Sequence, residues 1–413
     1  MKFIALCYSC ILICTHTWCQ YAPLAVSRDS VNFLSKEKLL ADLDAYADGI
    51  AHKHIQPFTH IKKRAFFDEI ENIKATAASY DVDELLIQLL KVNAMIQDEH
   101  TRVVYCARDI FPFACYWFEE GLVITRTETD QLSLLFSRVI AVNGRPIADV
   151  IEKIGTLDPT KNDAGLRTIT QRSLFDPVIM HGLQVAPSRA AVEYTLVTMK
   201  NDTVKIRPEA RDWKKIKLST GFDNKVFLKN TKSGNYWYKY VDTGNYIYFK
   251  YAHCLDENKE HLFVDFAKTL VAEIEERHPA KIIIDMRDNG GGYPTILRPF
   301  INTLSRSALN KKGKIAVLIG RRTFSSAIIN SAELRAQTYA TRIGEGTSGD
   351  VVFYAGVRYF KLPNTALMIS YSTQYWATDE KYEGSLRPDI VIPETFADYS
   401  RGIDAALLYA ITH

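Results

Sequence analysis

The sequence lacks any strong imbalance of charge. Its 51 Lys+Arg and 48 Asp+Glu leave a formal net charge of +3 over 413 residues. That balance excludes the large basic field used for nucleic-acid binding, so no nucleic-acid partner is expected. Cysteine is scarce and poorly spaced for metal. Four of the seven, Cys7, Cys10, Cys14 and Cys19, fall near the N-terminus, leaving Cys106, Cys115 and Cys254. These three form no Cys-x-x-Cys pair, which argues against a structural zinc site. Their odd number allows one disulfide at most, and Cys106–Cys115 is the local candidate. Internal repeats and low-complexity linkers are absent, and no apolar run reaches membrane-spanning length. Neither a GxxxxGK[ST] motif nor Rossmann glycine spacing occurs, which weakens a nucleotide-binding reading.

What is present is ordinary globular material, 47% hydrophobic and 24% charged, with room for two or three domains. Lys2, the apolar run at 3–14 and the polar exit near Cys19-Gln20 read as a secretory signal peptide over 1–20. A second reading makes Cys19 the lipid-modified cysteine of an envelope lipoprotein. The expected location is therefore secreted, periplasmic or cell-envelope, with membrane contact only through such an anchor.

Residues 21–104 form a helical region. Leu34, Leu39, Leu43, Tyr46 and Ile50 recur at helical spacing. Pro57 interrupts them, and Asp81 with Glu84 suggests a capping box for a second segment carrying Leu85, Leu86, Leu89, Leu90 and Ile96. Residues 105–210 read as a small β-rich module, with strands at 121–124, 138–142 and 192–196, a hairpin turn at Asn143-Gly144 and a helix opening after Pro146. From 211 to 413 strands alternate with helices, which argues for a layered sheet.

The chemistry concentrates between 281 and 327. Two apolar, β-branched runs, at 282–284 and 315–319, end respectively in Gly290-Gly291-Gly292 and in Thr323-Phe324-Ser325-Ser326-Ala327. Alone, the glycines suit a plain strand-to-helix turn or an anion nest, and Ser325 suits a helix cap. Sequential parallel strands tend to be neighbours, which would set glycine backbone N–H groups beside a serine hydroxyl. Those are two parts of an acyl-transfer site.

These residues resemble the tail-specific, C-terminal-processing serine peptidases, a family that includes tricorn core-type peptidases and retinoid-binding relatives. Asp285-Met286-Arg287-Asp288-Asn289-Gly290-Gly291-Gly292 is similar to its D-x-R-x-N-x-G-G, and Thr323-Phe324-Ser325-Ser326-Ala327 to its T-x-S-x-A. Gly344-Glu345-Gly346-Thr347-Ser348-Gly349 resembles G-E-x-T-x-G, Arg387-Pro388-Asp389-Ile390 the closing x-P-D-I, and Asp98-Glu99-His100-Thr101 the upstream D-G-H-T. Val142-Asn143-Gly144-Arg145-Pro146-Ile147 looks like the hairpin of a PDZ-like module. The resemblance implies an α+β / α/β fold: an N-terminal helical segment, a small β-rich PDZ-like module at 105–210 and a crotonase-like ββα-spiral catalytic domain at 211–413.

The same resemblance implies a serine peptidase acting on protein or peptide substrates without metal or organic cofactor. Ser325 would be the nucleophile, with Gly291 and Ser326 N–H groups as the oxyanion hole. Asp350 stands where one branch has a catalytic lysine, so a Ser-Lys pair is not supported. The tricorn-like branch points instead to His100 as base and Glu383 as its orienting carboxylate, although Glu99 replaces that branch's serine before the histidine. His253 is the rival base. One other reading stays open, a non-catalytic peptide- or hydrophobic-ligand-binding protein on a peptidase scaffold; a crotonase-type acyl-CoA enzyme shares the oxyanion chemistry, but the expected signal peptide and the absence of an adenine-nucleotide motif argue against it. The sequence is silent on oligomeric state.

Overall fold

The computed structural model describes residues 35–77, 82–105, 107–378 and 380–413. The expected signal peptide, Leu34, Cys19, Asp81 and Cys106 lie outside those residues. Among the described helices none is long and apolar enough to cross a membrane.

A six-stranded sheet organises the C-terminal half. Its order is Tyr236–Val241, Tyr246–Tyr251, Lys281–Asp285, Ile315–Ile319, Thr341–Gly344 and Ile390–Val391. The first pair is antiparallel and the remaining pairs are parallel. The two apolar runs are continuous because both faces are covered. Ile282, Ile284, Ile315, Val317 and Ile319 share one core with Phe263, Leu270, Phe300, Leu304 and Ile328 from three helices, Phe263–Arg277, Arg298–Arg306 and Ser326–Gln337. The alternate positions Ile283, Ala316 and Leu318 pack on Ala406, Leu407 and Ala410 of the C-terminal helix Ala405–Thr412. Burial of one aliphatic side chain contributes about 1.5–3 kcal/mol, so these two strands are held firmly where their ends must carry chemistry.

The small module is an antiparallel sheet in the order Phe113–Phe118, Gly121–Thr127, Arg138–Val142, Tyr194–Val197, Thr203–Ile206. Asn143 and Gly144 both take positive φ, 47° and 75°, and turn Val142 onto Arg145 as a two-residue hairpin requires. The helix expected after Pro146 is Ile147–Gly155, and two more, Asp163–Ser173 and Pro177–Gly182, follow it. Asp163–Ser173 is mostly polar and Pro177–Gly182 is very short, so neither sets an apolar period. Cys115, in this module's core, is a free buried thiol.

The helices Lys36–Lys53, Lys63–Thr76 and Val82–Met95 do not stand apart. Strand Arg102–Val104 pairs antiparallel with Met368–Tyr371, which pairs with Arg358–Lys361. Leu43, Tyr46, Ile50 and Phe66 then share a core with Val103, Leu362 and Ile369. This long-range pairing carries the turn at 98–101 across to the C-terminal half.

Candidate active site

Strands Lys281–Asp285 and Ile315–Ile319 run parallel with Ile284 opposite Val317 and Asp285 opposite Leu318. Their C-terminal ends therefore emerge side by side. The emerging turns are bonded to each other. Thr323 Oγ1 donates to the Met286 carbonyl (2.8 Å) and accepts from Gly320 N–H (3.0 Å), and Phe324 N–H donates to the Asn289 carbonyl (2.9 Å). Ser326 Oγ donates to the Gly292 carbonyl at 2.6 Å.

Ser325 precedes helix Ser326–Gln337 with φ 53° and ψ −124°, and its hydroxyl makes no capping bond. A non-glycine residue there is strained by about 1–3 kcal/mol, so the surroundings must impose it. Its Oγ lies 3.1 Å from His100 Nε2. The hydroxyl thus faces an imidazole rather than the helix N–H groups, which separates the nucleophile reading from the cap reading.

Glycine is needed opposite. Gly291 has φ +100°, and a Cβ there would sit 2.8 Å from Ser325 Cβ and 3.0 Å from the Phe324 carbonyl. The Gly291 N–H, expected to be an open oxyanion donor, already donates to Asn289 Oδ1 at 2.9 Å. Asn289 is itself fixed by donating to the Tyr251 carbonyl at 2.9 Å. Among the described residues Ser326 N–H has no acceptor, as expected of the first amide of a helix.

His100 sits in the turn after helix Val82–Met95. Asp98 shapes that turn: its Oδ1 accepts from His100 N–H (2.9 Å) and its Oδ2 from Thr101 Oγ1 (2.5 Å). Ser370 Oγ donates to the His100 carbonyl at 2.8 Å. The imidazole is stacked between Phe324 (4.9 Å) and Phe353 (5.5 Å). Burial lowers its pKa to about 4, the Asp98 charge opposing, Arg102 adding, and the Tyr354 carbonyl opposing. The ring is therefore neutral at pH 7, as a general base must be. Its Nδ1 makes no hydrogen bond of ordinary geometry among the described residues, the Tyr354 backbone being the neighbour that favours its charged form.

The structure does not bring Glu383 to that nitrogen. The Glu383 side chain is exposed, in a loop whose backbone, not its carboxylate, docks: Val351 N–H donates to the Gly384 carbonyl at 2.8 Å. Its charge is felt by Asp350 instead. His253 makes no hydrogen bond to Ser325 among the described residues; its N–H donates to the Asn235 carbonyl at 3.1 Å.

Asp350 pairs with Glu99. The Asp350 N–H donates to Glu99 Oε1 at 2.9 Å, while Glu99 Oε2 is buried without a partner. Burial, then the charge of Asp350, holds the Glu99 carboxyl well above its usual range. Asp350 is pushed up to about 6 by burial, with Asp158 and Glu383 adding and Asn162 opposing. Asp350 and Glu99 thus form an acidic pair that favours neutral carboxyl groups. Beneath the site, burial would raise Asp285, but Arg287 and Lys250 hold it well below the usual carboxylate range. Arg287 also grips Asp404 bidentately at 2.7 and 2.8 Å. Among the described residues no cluster of His, Cys, Asp or Glu could hold a metal ion.

Sequence reasoning missed three parts. The Phe324–His100–Phe353 stack could not be read, since Phe353 is distant in sequence. The Asn289 clamp on Gly291 was invisible. The Asx-type spacing of Asp98 and Thr101 is a signal that could have marked the turn.

A strained hydroxyl beside a neutral imidazole, over a glycine turn, is the arrangement on which serine hydrolases are built. No protein-family model matches the sequence, and no curated protein matches it. Solved structures do. Mature CPAF aligns with a TM-score of 0.63 at 12% identity, over 91% of this chain and 96% of that one. Mature CPAF complexed with lactacystin aligns with 0.63 at 12%, over 91% and 97%. A photosystem II D1 C-terminal processing protease aligns with 0.40 at 12%, over 87% and 94%. Several of the structural neighbours, the D1 C-terminal processing protease and the tricorn protease among them, are tail-specific, S41-type peptidases. At such identity the likeness to CPAF is one of fold: mixed α+β, with several sheets.

Proposed function

We propose that the protein is a serine endopeptidase, secreted or held at the cell envelope, that hydrolyses peptide bonds through an acyl-enzyme on Ser325. The observation that carries this reading is the 3.1 Å approach of Ser325 Oγ to His100 Nε2 from a strained backbone. With its proton on Nδ1, His100 accepts the hydroxyl proton at Nε2 as Oγ attacks the scissile carbonyl carbon. The oxyanion meets Ser326 N–H and the glycine turn, where Gly291 N–H must leave Asn289 to contribute. One such donor is worth about 3 kcal/mol of barrier. The amine leaves with the proton from Nε2, and water repeats the sequence to free the acid and restore Ser325.

The Asp98 charge supports the imidazolium formed midway. Glu383 is not needed for this scheme in its present position. We read the catalytic half as crotonase-like and the small module as PDZ-like, the latter positioning substrate by adding a peptide strand to a sheet edge. Fold likeness to CPAF supports peptide or protein substrates, and lactacystin, which is complexed with CPAF, is a second ligand to try.

The engaged Gly291 amide and the outward Glu383 favour one alternative, a binding protein on the same scaffold. A fluorogenic peptide library separates the two. Cleavage by wild type that disappears in Ser325→Ala supports the peptidase, and intact peptides with both proteins support the binding protein.

A further inference from the structure

We infer that His54 is a positioning residue for His100, acting through Asp98; this rests on the dyad reading above. His54 follows helix Lys36–Lys53 directly and is buried. Its Nε2 lies 2.8 Å from Asp98 Oδ2, with both side chains almost wholly inaccessible. Its Nδ1 accepts from the Gln56 N–H at 3.0 Å. An amide can only donate, so Nδ1 carries the lone pair and Nε2 carries the proton. His54 is therefore a neutral donor aimed at a buried carboxylate.

That choice of residue has a consequence. A buried carboxylate needs donors, and among the described residues Asp98 accepts from His54, the His100 N–H and Thr101 Oγ1, with Ser372 close enough to help hold its charge. Lysine or arginine would supply the third donor but cancel the charge. Neutral histidine satisfies Asp98 and leaves its charge intact, behind the imidazole whose basicity that charge supports.

The surroundings fix His54 in turn. Tyr354 meets its ring edge-on at 5.5 Å and donates to Gln56 Oε1 at 2.9 Å. Ile55 N–H donates to the Ser372 carbonyl (3.0 Å), and Ser372 N–H donates to Thr101 Oγ1 (3.2 Å). The same strand, Val352–Ala355, that carries Tyr354 also carries Phe353, the outer face of the His100 stack. The end of the first helix, the catalytic turn and the stacking strand are thereby one hydrogen-bonded unit.

The test compares His54→Leu with His54→Gln, whose amide nitrogen can replace Nε2 as donor. Rates are measured per site titrated with a fluorophosphonate, so a misfolded fraction does not count. His54→Leu should lower kcat on the order of 10-fold with KM nearly unchanged, the mark of a misplaced group rather than lost binding. It should also move the acid limb of the pH profile, and His54→Gln should restore most of both. If His54→Leu is insoluble, His54→Asn serves, since its shorter side chain meets Gln56 but not Asp98. Wild-type kcat in folded His54→Leu, or equal damage in Leu and Gln variants, would overturn the proposal. Should wild type prove inert, the peptidase reading fails separately, and imidazole NMR reads the coupling. His100 ring resonances that shift in His54→Leu but not in His54→Gln support it, and resonances unmoved in both refute it.

Discussion

Ser325 and His100 owe their properties to single contacts that can be removed one at a time. Gly291 is the tightest. Alanine there must accept φ +100° and a Cβ 2.8 Å from Ser325 Cβ, so Gly291→Ala should cost about 1–3 kcal/mol in chemical denaturation and should abolish Ser325 reactivity. The His100 environment makes a pH prediction. Its pKa of about 4 in the fold lies below the ordinary value of 6.5, so kcat/KM should lose its acid limb near pH 4 rather than near 6.5. Asp98 raises that pKa, so Asp98→Asn should move the limb lower still. The same shift affects stability. Between those two values the unfolded chain binds more protons, so the His100 contribution is present above about pH 6.5 and fades as pH falls toward about 4. Urea titration at pH 4.5 and 7 measures it. Ser325 is legible in the sequence because its strand, its threonine two before and the glycine turn all sit within one local window. The Glu383 expectation is not upheld by the contacts, because whether a loop carboxylate turns inward is decided by the backbone docking of Gly384, which no spacing encodes.

At the scale of elements, the two buried strands act as a rigid base for two turns. Their unbroken apolar runs are readable as strands because both faces are covered, and the helices between them follow from the alternation of β and α segments. What could not be read is the ionic tie beneath. Arg287, next to the glycine turn, is held by Asp285 and by Asp404, and Asp404 also caps the C-terminal helix by accepting from Leu407 N–H at 3.1 Å. Asp404→Ala removes a buried ion-pair partner and a cap together. It should destabilise the protein by about 3 kcal/mol, seen in denaturant unfolding, while leaving the local Ser325–His100 approach in the folded fraction unaltered. The helix Asp163–Ser173 escaped the sequence reading because its polar sequence sets no apolar period, and Pro177–Gly182 because a helix this short, packed chiefly on helix Val82–Met95, cannot set one.

For the whole molecule, the decisive feature is that the site is assembled from both ends of the chain. His100 arrives from the N-terminal helical region because Arg102–Val104 pairs with Met368–Tyr371 and Val103 joins a core with Leu362 and Ile369. Pairing across more than 260 residues leaves no trace in local pattern, which explains why His100 could be nominated only by resemblance. A fragment of residues 211–413 should therefore be inert at Ser325 even if soluble, and mixing it with fragment 35–210 should restore reactivity only where the shared core reforms. The most direct measurement is intact-mass and peptide mapping of the protein after a fluorophosphonate, between about pH 6 and 9, where a neutral imidazole is available. The Ser325–His100 dyad predicts one adduct per chain, on Ser325, formed far more slowly in His100→Ala. A folded wild-type chain that takes up no phosphonyl group, or takes it up at another residue, would contradict it.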